Sequence, residues 1–199
     1  MMKCRSSVVK LVFFICSIIV FSACAKPTVS VCFTTRDNCS SAITHEIEQA
    51  KTEILVQAYS LTSKPIADAI VKAKDSGVSI GVILDRSSKF ARNSATFFSV
   101  LNGIPTYLDG RHSIADNNMI VIDKRTVITG SYNFTNESDE KNAENLLIVK
   151  SDELAGAYID NWQEHKGHSE EFKNEPPKEQ PKTEKKKTVK KKKKPKEGQ

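Results

Sequence analysis

Two nearly continuous apolar runs, Glu53-Ile54-Leu55-Val56-Gln57-Ala58-Tyr59 and Val78-Ser79-Ile80-Gly81-Val82-Ile83-Leu84, bracket a segment of helical periodicity. Runs of this kind, without the alternation of a half-exposed strand, are expected of strands covered on both faces. Between them Ser63 is placed to cap a helix, Pro65 falls in its first turn, Ala67, Ile70, Val71 and Ala73 share one face, and Gly77 stops it. Strand, helix and strand over residues 53–84 make one crossover unit, which implies parallel strands. That unit commits the chain to an α/β class.

The remaining elements extend the same architecture. Val29-Ser30-Val31-Cys32-Phe33 alternates as a short strand, and Ser40-Ser41 opens a helix through Ile43, Ile47 and Ala50. Phe90, Ala91, Phe97, Phe98 and Leu101 suit a helix over Ser88–Leu101, followed by a short strand at Thr106-Tyr107-Leu108. Residues 119–123 and 126–129 read as a hairpin joined by Lys124-Arg125, and Leu146-Leu147-Ile148-Val149 as a further buried strand. A helix from Asp152 to His165, capped by Ser151 and carrying Leu154, Ala157, Tyr158 and Trp162, closes the domain. The sum is an α/β/α layered sandwich with a mixed β-sheet.

Both ends of the chain differ from this middle. Lys3, Arg5 and Lys10 precede an apolar run from Leu11 to Phe21 and then Ser22-Ala23-Cys24-Ala25, the order of a secretory signal over residues 1–25. The run is shorter than the roughly 20 apolar residues of a comfortable bilayer span. Ala23-Cys24-Ala25 fits a cut before Lys26, whereas Phe21-Ser22-Ala23-Cys24 is an imperfect lipobox in which Cys24 would carry lipid and attach the protein to a membrane. An uncleaved anchor is the third option. All three take the protein out of a bacterial cytoplasm, to a periplasmic, secreted or lipid-anchored location. Cys32 and Cys39 remain in the mature chain, and two cysteines so close in an oxidising compartment suggest one disulfide, the alternative being a buried free Cys32. No His or Cys pair at metal spacing accompanies them, so no zinc site is expected there.

The formal charge of +6 is unevenly spread. Residues 166–199 carry 13 Lys against six Glu, while residues 26–165 carry 14 basic against 18 acidic side chains. The folded part, assigned to residues 26–168, is therefore mildly acidic. Residues 169–199 are short of apolar side chains and are expected to be disordered. Their lysines serve either as a solubilising segment or as a site for nucleic acid, anionic lipid or another polyanion.

The chemistry-bearing pattern is Asp116-x-Asn118-x4-Asp123-x6-Gly130-Ser131-x-Asn133. It has the spacing of the phospholipase D "HKD" motif, His-x-Lys-x4-Asp-x6-Gly-Ser-x-Asn, with Asp at the His position and Asn at the Lys position. Together with Ile54-Leu55-Val56-Gln57-Ala58-Tyr59-Ser60, Val82-Ile83-Leu84-Asp85, Phe134-Thr135 and Asn142-Ala143-Glu144-Asn145, it makes the chain resemble the Nuc-type bacterial endonucleases of the phospholipase D superfamily over roughly residues 29–165. The resemblance implies the phospholipase D/nuclease fold, a homodimer that pairs two single motifs into one site, and phosphodiester hydrolysis with no metal or other cofactor. In that chemistry a His attacks phosphorus and a second His protonates the leaving oxygen, while Lys and Asn hold the non-bridging oxygens. By position the catalytic roles fall on Asp116, Asn118, Asp123, Ser131, Asn133 and Glu144.

Asp116 is anionic at neutral pH, so it repels phosphate and has no proton for a leaving group. Asn118 supplies an amide donor without charge. Losses of such groups cost factors of roughly 10² to 10³ each. No other histidine fits the position: His112 lies four residues before Asp116, about 13 Å away on an extended segment. Placing it at the motif His would demand Lys and Asp where the chain has Ile114 and Met119. His45, His165 and His168 fall on helix or tail and read as solvated. The expected protein is an exported phosphodiesterase-family homodimer with a degenerate motif, inactive or strongly impaired, that binds phosphate or polyanions. The alternative is an active hydrolase of nucleic acid or phospholipid.

Overall fold

The computed structural model describes residues 26–90 and 103–173. The leader, most of the segment read as a helix over Ser88–Leu101, and the Lys-rich segment from 174 onward lie outside the described residues. Eight strands form one mixed sheet: β1 (Thr28–Phe33), β2 (Glu53–Ala58), β3 (Ser79–Asp85), β4 (Thr106–Asp109), β5 (Met119–Ile122), β6 (Thr126–Gly130), β7 (Asn145–Lys150) and β8 (Glu170–Glu171). Their order is β1-β7-β6-β5-β2-β3-β4-β8. The crossover unit pairs β2 with β3 in parallel, and β4 adds to β3 in parallel. The other neighbours are antiparallel.

Helices cover both faces. On one side α1 (Cys39–Glu48) and α2 (Lys64–Asp75) bring Ile43, Ile47, Ile66 and Ile70 onto Ile54, Val56 and Ala58. The alternate residues of the central strands, Leu55, Ile83, Val121 and Val127, meet Ala155 and Trp162 on the opposite face. These last two belong to α4 (Asp152–His168), which follows the short helix α3 (Asn136–Glu140). Trp162 also donates its indole N–H to the Val56 carbonyl at 2.9 Å, which satisfies the one polar atom of a large buried ring. Each large apolar side chain buried contributes roughly 1.5–3 kcal/mol. The doubly covered β2 and β3 thus carry the burial, whereas Val29 and Val31 of edge strand β1 stay exposed.

Local chemistry explains the element ends. Gly77 follows α2 at φ +93, a left-handed conformation that suits glycine. Asn38 caps α1 through Ser41 N–H, and Ser151 caps α4 through Leu154 N–H. Between β5 and β6, Asp123 and Lys124 both take positive φ, and Arg125 N–H donates to the Ile122 carbonyl. That is the tight turn whose twist matches a hairpin. Cys32 and Cys39 are joined in a disulfide across the turn between β1 and α1.

Several boundaries differ from the sequence reading: the hairpin turns on Asp123-Lys124 rather than Lys124-Arg125, because the paired strand ends at Ile122. The last helix runs to His168 rather than His165, and the folded chain does not stop there. Glu170 and Glu171 pair with β4, Phe172 N–H donates to the Thr106 carbonyl, and the Phe172 side chain packs on the core. A lone phenylalanine in a charged stretch was too weak a signal for a two-residue strand, which forms only because β4 offers an open edge. At the start of the segment read as a helix from Ser88, the structure has a 3-10 turn that already begins two residues earlier, Arg86–Phe90, and nothing further of that segment is described.

Candidate active site

Strand directions gather the motif at one end of the sheet. β2 and β6 end there while β5 and β7 begin there, so Tyr59, Asn118, Ser131 and Asn145 come from four neighbouring strand ends. Gly130, the last residue of β6, lies so close to β7 that a Cβ on it would sit 2.2 Å from the Asn145 carbonyl oxygen. Only glycine permits that approach. Ser131 then donates its hydroxyl to Glu144 Oε2 at 2.5 Å and accepts from the Asn145 backbone and side-chain N–H groups at 3.1 and 3.2 Å. Glu144 Oε1 accepts from Asn142 at 3.0 Å.

Asn118 is buried at 3 % exposure and takes φ 40, a left-handed conformation for which asparagine is well suited. Its side-chain amide is fully used: Nδ2 donates to Asp116 Oδ1 at 2.7 Å and to Asn133 Oδ1 at 3.1 Å, and Oδ1 accepts from Tyr59 N–H at 3.3 Å. Asp116 itself is exposed. Among the described residues, the hydrogen bonds of these motif side chains run to amides, hydroxyls and carboxylates and to no Lys, Arg or His.

Of the six residues read as catalytic, the structure brings together Asp116, Asn118 and Asn133, and beside them Ser131 and Glu144. Asp123 stands apart, at the other end of β5, roughly 16 Å along an extended strand from Asn118. Its carboxylate accepts from the backbone N–H of Lys51, Thr52 and Glu53 and from the Thr52 hydroxyl. Burial pushes its pKa upward, but these four donors outweigh it and hold the carboxyl below its usual range. Asp123 anchors the start of β2. The distance along the strand is plain in the spacing, but motif membership had placed it with the catalytic set.

The chain from β4 to β5 crosses over the ends of β3 and β2 as a strap, and acidic side chains hold it down. Asp85, at the end of β3, accepts from Ala115 N–H at 2.8 Å and from the backbone and hydroxyl of Ser87 at 2.8 and 2.5 Å. Asp109, at the end of β4 and fully buried, accepts His165 Nδ1 at 2.7 Å, His112 Nδ1 at 3.1 Å and His168 Nε2 at 3.2 Å on the same oxygen. His165 and His168 are therefore not solvated: their side chains are 12 % and 15 % exposed. The extra turn of α4 carries His168 inward, and the i, i+3 spacing of the pair was the signal for one shared face. His112 faces Asp109 rather than Asp116. Of the three histidines read as solvated, His45 alone is exposed.

A mixed sheet covered on both faces, with a Gly-Ser-x-Asn turn and its acidic partner at the end of the central strands, is the layered frame that the phospholipase D resemblance implied. The match to the family described as "Cardiolipin synthase, PLD-like domain" spans residues 43–166, and the chain belongs to this phospholipase D-like family. It is 37 % identical over 145 residues to a phospholipase D of Rickettsia conorii, covering 73 % of this chain and 72 % of that one. The crystal structure of Nuc, a phospholipase D family member from Salmonella typhimurium, superposes with a TM-score of 0.71 at 29 % identity, covering 75 % of this chain and all of Nuc. NucT from Helicobacter pylori shares the fold, with a TM-score of 0.66 at 22 % identity, over 74 % of this chain and all of NucT.

Proposed function

We propose that this phospholipase D-like protein is an exported homodimer that has kept the phosphodiesterase frame and lost hydrolysis at a native rate. It engages polyanions through the lysines of its C-terminal segment. The observation that carries this reading is the state of Asn118. At the position where the family pattern has a cationic lysine, this side chain is neutral and spends both amide donors on Asp116 and Asn133. Next to it stands an exposed carboxylate where the pattern has an imidazole. A phosphodiester entering this end of the sheet meets negative charge at the attacking position and, among the described residues, no Lys, Arg or His hydrogen-bonded to the motif side chains, so neither the pentacoordinate state nor the leaving group is stabilised. Pairing two chains repeats the deficit.

Polyanion binding then falls to residues 166–199, with 13 Lys against six Glu. Such binding is sequence-independent and weakens steeply with salt. Among the described residues no helix is long and apolar enough to cross a membrane, and the leader is the feature that supports export. The second reading, an active phosphodiesterase, draws on the phospholipase D name of the Rickettsia relative.

The deciding experiment is an assay of the full chain on single-stranded DNA, RNA and bis-p-nitrophenyl phosphate, without added metal. Product no higher than a matched blank supports the proposal. Robust turnover abolished by Asp116→Ala establishes the second reading, with the carboxylate as nucleophile. Sedimentation of the same preparation at tens of micromolar should give a dimer, and a monomer alone removes the homodimer. Salt-sensitive retention of DNA or anionic vesicles should vanish when the chain ends at Lys173.

A further inference from the structure

Three of the four histidines in the chain converge on one buried carboxylate oxygen, from two elements that are far apart in sequence. His165 and His168 sit on the last turn of α4, and His112 on the strap three residues beyond Asp109. The three rings form a near-equilateral triangle, with centroids 5.0, 5.1 and 5.4 Å apart. One ligand atom from each ring and one from Asp109 all fall within 4.8 Å of one another. We propose that Asp109, His112, His165 and His168 form a structural binding site for a first-row divalent cation of the zinc type.

Zinc held by imidazole at roughly 2.0–2.1 Å in a tetrahedron places its ligand atoms about 3.3 Å apart. The contacts from Asp109 to the three rings, 2.7 to 3.2 Å, are already near that spacing. Ring rotation closes the widest pair. Three imidazoles and one carboxylate suit zinc and its neighbours and not magnesium or calcium, which take all-oxygen sets. The carboxylate is oriented for the task, since its other oxygen accepts Arg111 N–H at 2.9 Å. Burial pushes the Asp109 pKa upward, but His165, Arg111 N–H, His168 and His112 together outweigh it and hold the group well below the usual carboxylate range. The site thus offers a cation a fully buried carboxylate on one side and the partly exposed His112 ring on the other.

Asp109 and Asp85 stand opposite each other in the register of β3 and β4, and Asp85 grips Ala115. A cation here would clamp the start of the strap to α4 a few residues before Asp116. Its role is positioning, outside the phosphodiester chemistry. Hydrogen bonds alone, with no metal, are the competing account of the same cluster.

The test uses the full chain with Cys4, Cys16 and Cys24 replaced by serine, stripped with EDTA and dialysed, and titrated with Zn2+ by calorimetry. One Zn2+ per chain is expected, with a rise in thermal midpoint. His112→Ala and His168→Ala should each weaken binding by at least about 100-fold, the share of one ligand in four. They should also remove the midpoint shift, while His45→Ala changes neither. His112 is 46 % exposed, so its variant keeps the core intact and circular dichroism can verify the fold. Absence of Zn2+ uptake at a hundredfold excess, or uptake that His112→Ala and His168→Ala leave unchanged, overturns the proposal.

Discussion

At one end of the sheet a single strap carries two polar clusters, and they differ in how their charge is balanced. Around Asp116 the partners are neutral amides, and the carboxylate is exposed. Around Asp109 the carboxylate is buried and one of its oxygens is met by three imidazoles. The first cluster has the motif spacing, with Asp116 and Asn118 at its first two positions and amides as the partners of its carboxylate. The second lies outside any motif and has a complete donor set. Spacing shows where side chains go; charge complementarity decides what they can bind.

The comparison is broken most strongly by placing cationic groups in the first cluster. Asp116→His with Asn118→Lys should raise phosphodiester cleavage by about 10² to 10³-fold over the unmodified chain, because nucleophile and oxygen clamp act as a unit. Either change alone should give little. Lysine at position 118 must accept a left-handed backbone at φ 40, so circular dichroism should accompany the assay. A double variant that folds and stays at the blank would place the deficit elsewhere in the site.

Asp85 lies between the clusters, and Asp85→Ala should loosen both. It strips Ala115 and Ser87 N–H groups of their acceptor, at a cost of about 3 kcal/mol in urea unfolding. Amide exchange at His112 and Ala115 should speed up as well. Unchanged exchange would mean that the strap is held by something other than this carboxylate.

Gly130→Ala touches only the motif cluster. A methyl group aimed at the Asn145 carbonyl forces β6 and β7 apart, for roughly 2 kcal/mol by equilibrium unfolding. Exchange at His112 should stay as it was. Equal loosening at His112 would show that the two clusters are coupled through the sheet and not only through the strap.

The smallest effect belongs at the far end of β5. Asp123→Ala should cost about 1–2 kcal/mol through the lost caps on Lys51, Thr52 and Glu53. Because the folded-state pKa of Asp123 is lowered, its contribution is complete above the ordinary carboxylate pKa of about 4. It is lost as pH falls through the folded value. The stability gap between variant and unmodified chain, measured by unfolding at a series of pH values, should therefore be constant near neutrality and narrow below pH 4. A gap that widens in acid would contradict this assignment.

Local order was legible in the chain because it rests on neighbours in sequence. Apolar runs without alternation marked β2 and β3 as doubly covered, and Pro65 in the first turn and Gly77 past the last bounded α2, while Ser63 holds the N-cap position without a side-chain capping bond. The motif spacing marked the family, since Gly130 and Ser131 must follow a hairpin of fixed length after Asn118. Tertiary structure alone decided the rest. Asp109 and His165 are 56 residues apart and touch only because β4 joins the sheet in parallel and α4 packs across its opposite face. Strand direction likewise sent Asp123 to the opposite end of β5, while the site gathered at the ends of β2, β5, β6 and β7. Short-range periodicity has no term for which strand lies beside which; that is settled by the burial of whole faces, which sums over residues distant in the chain.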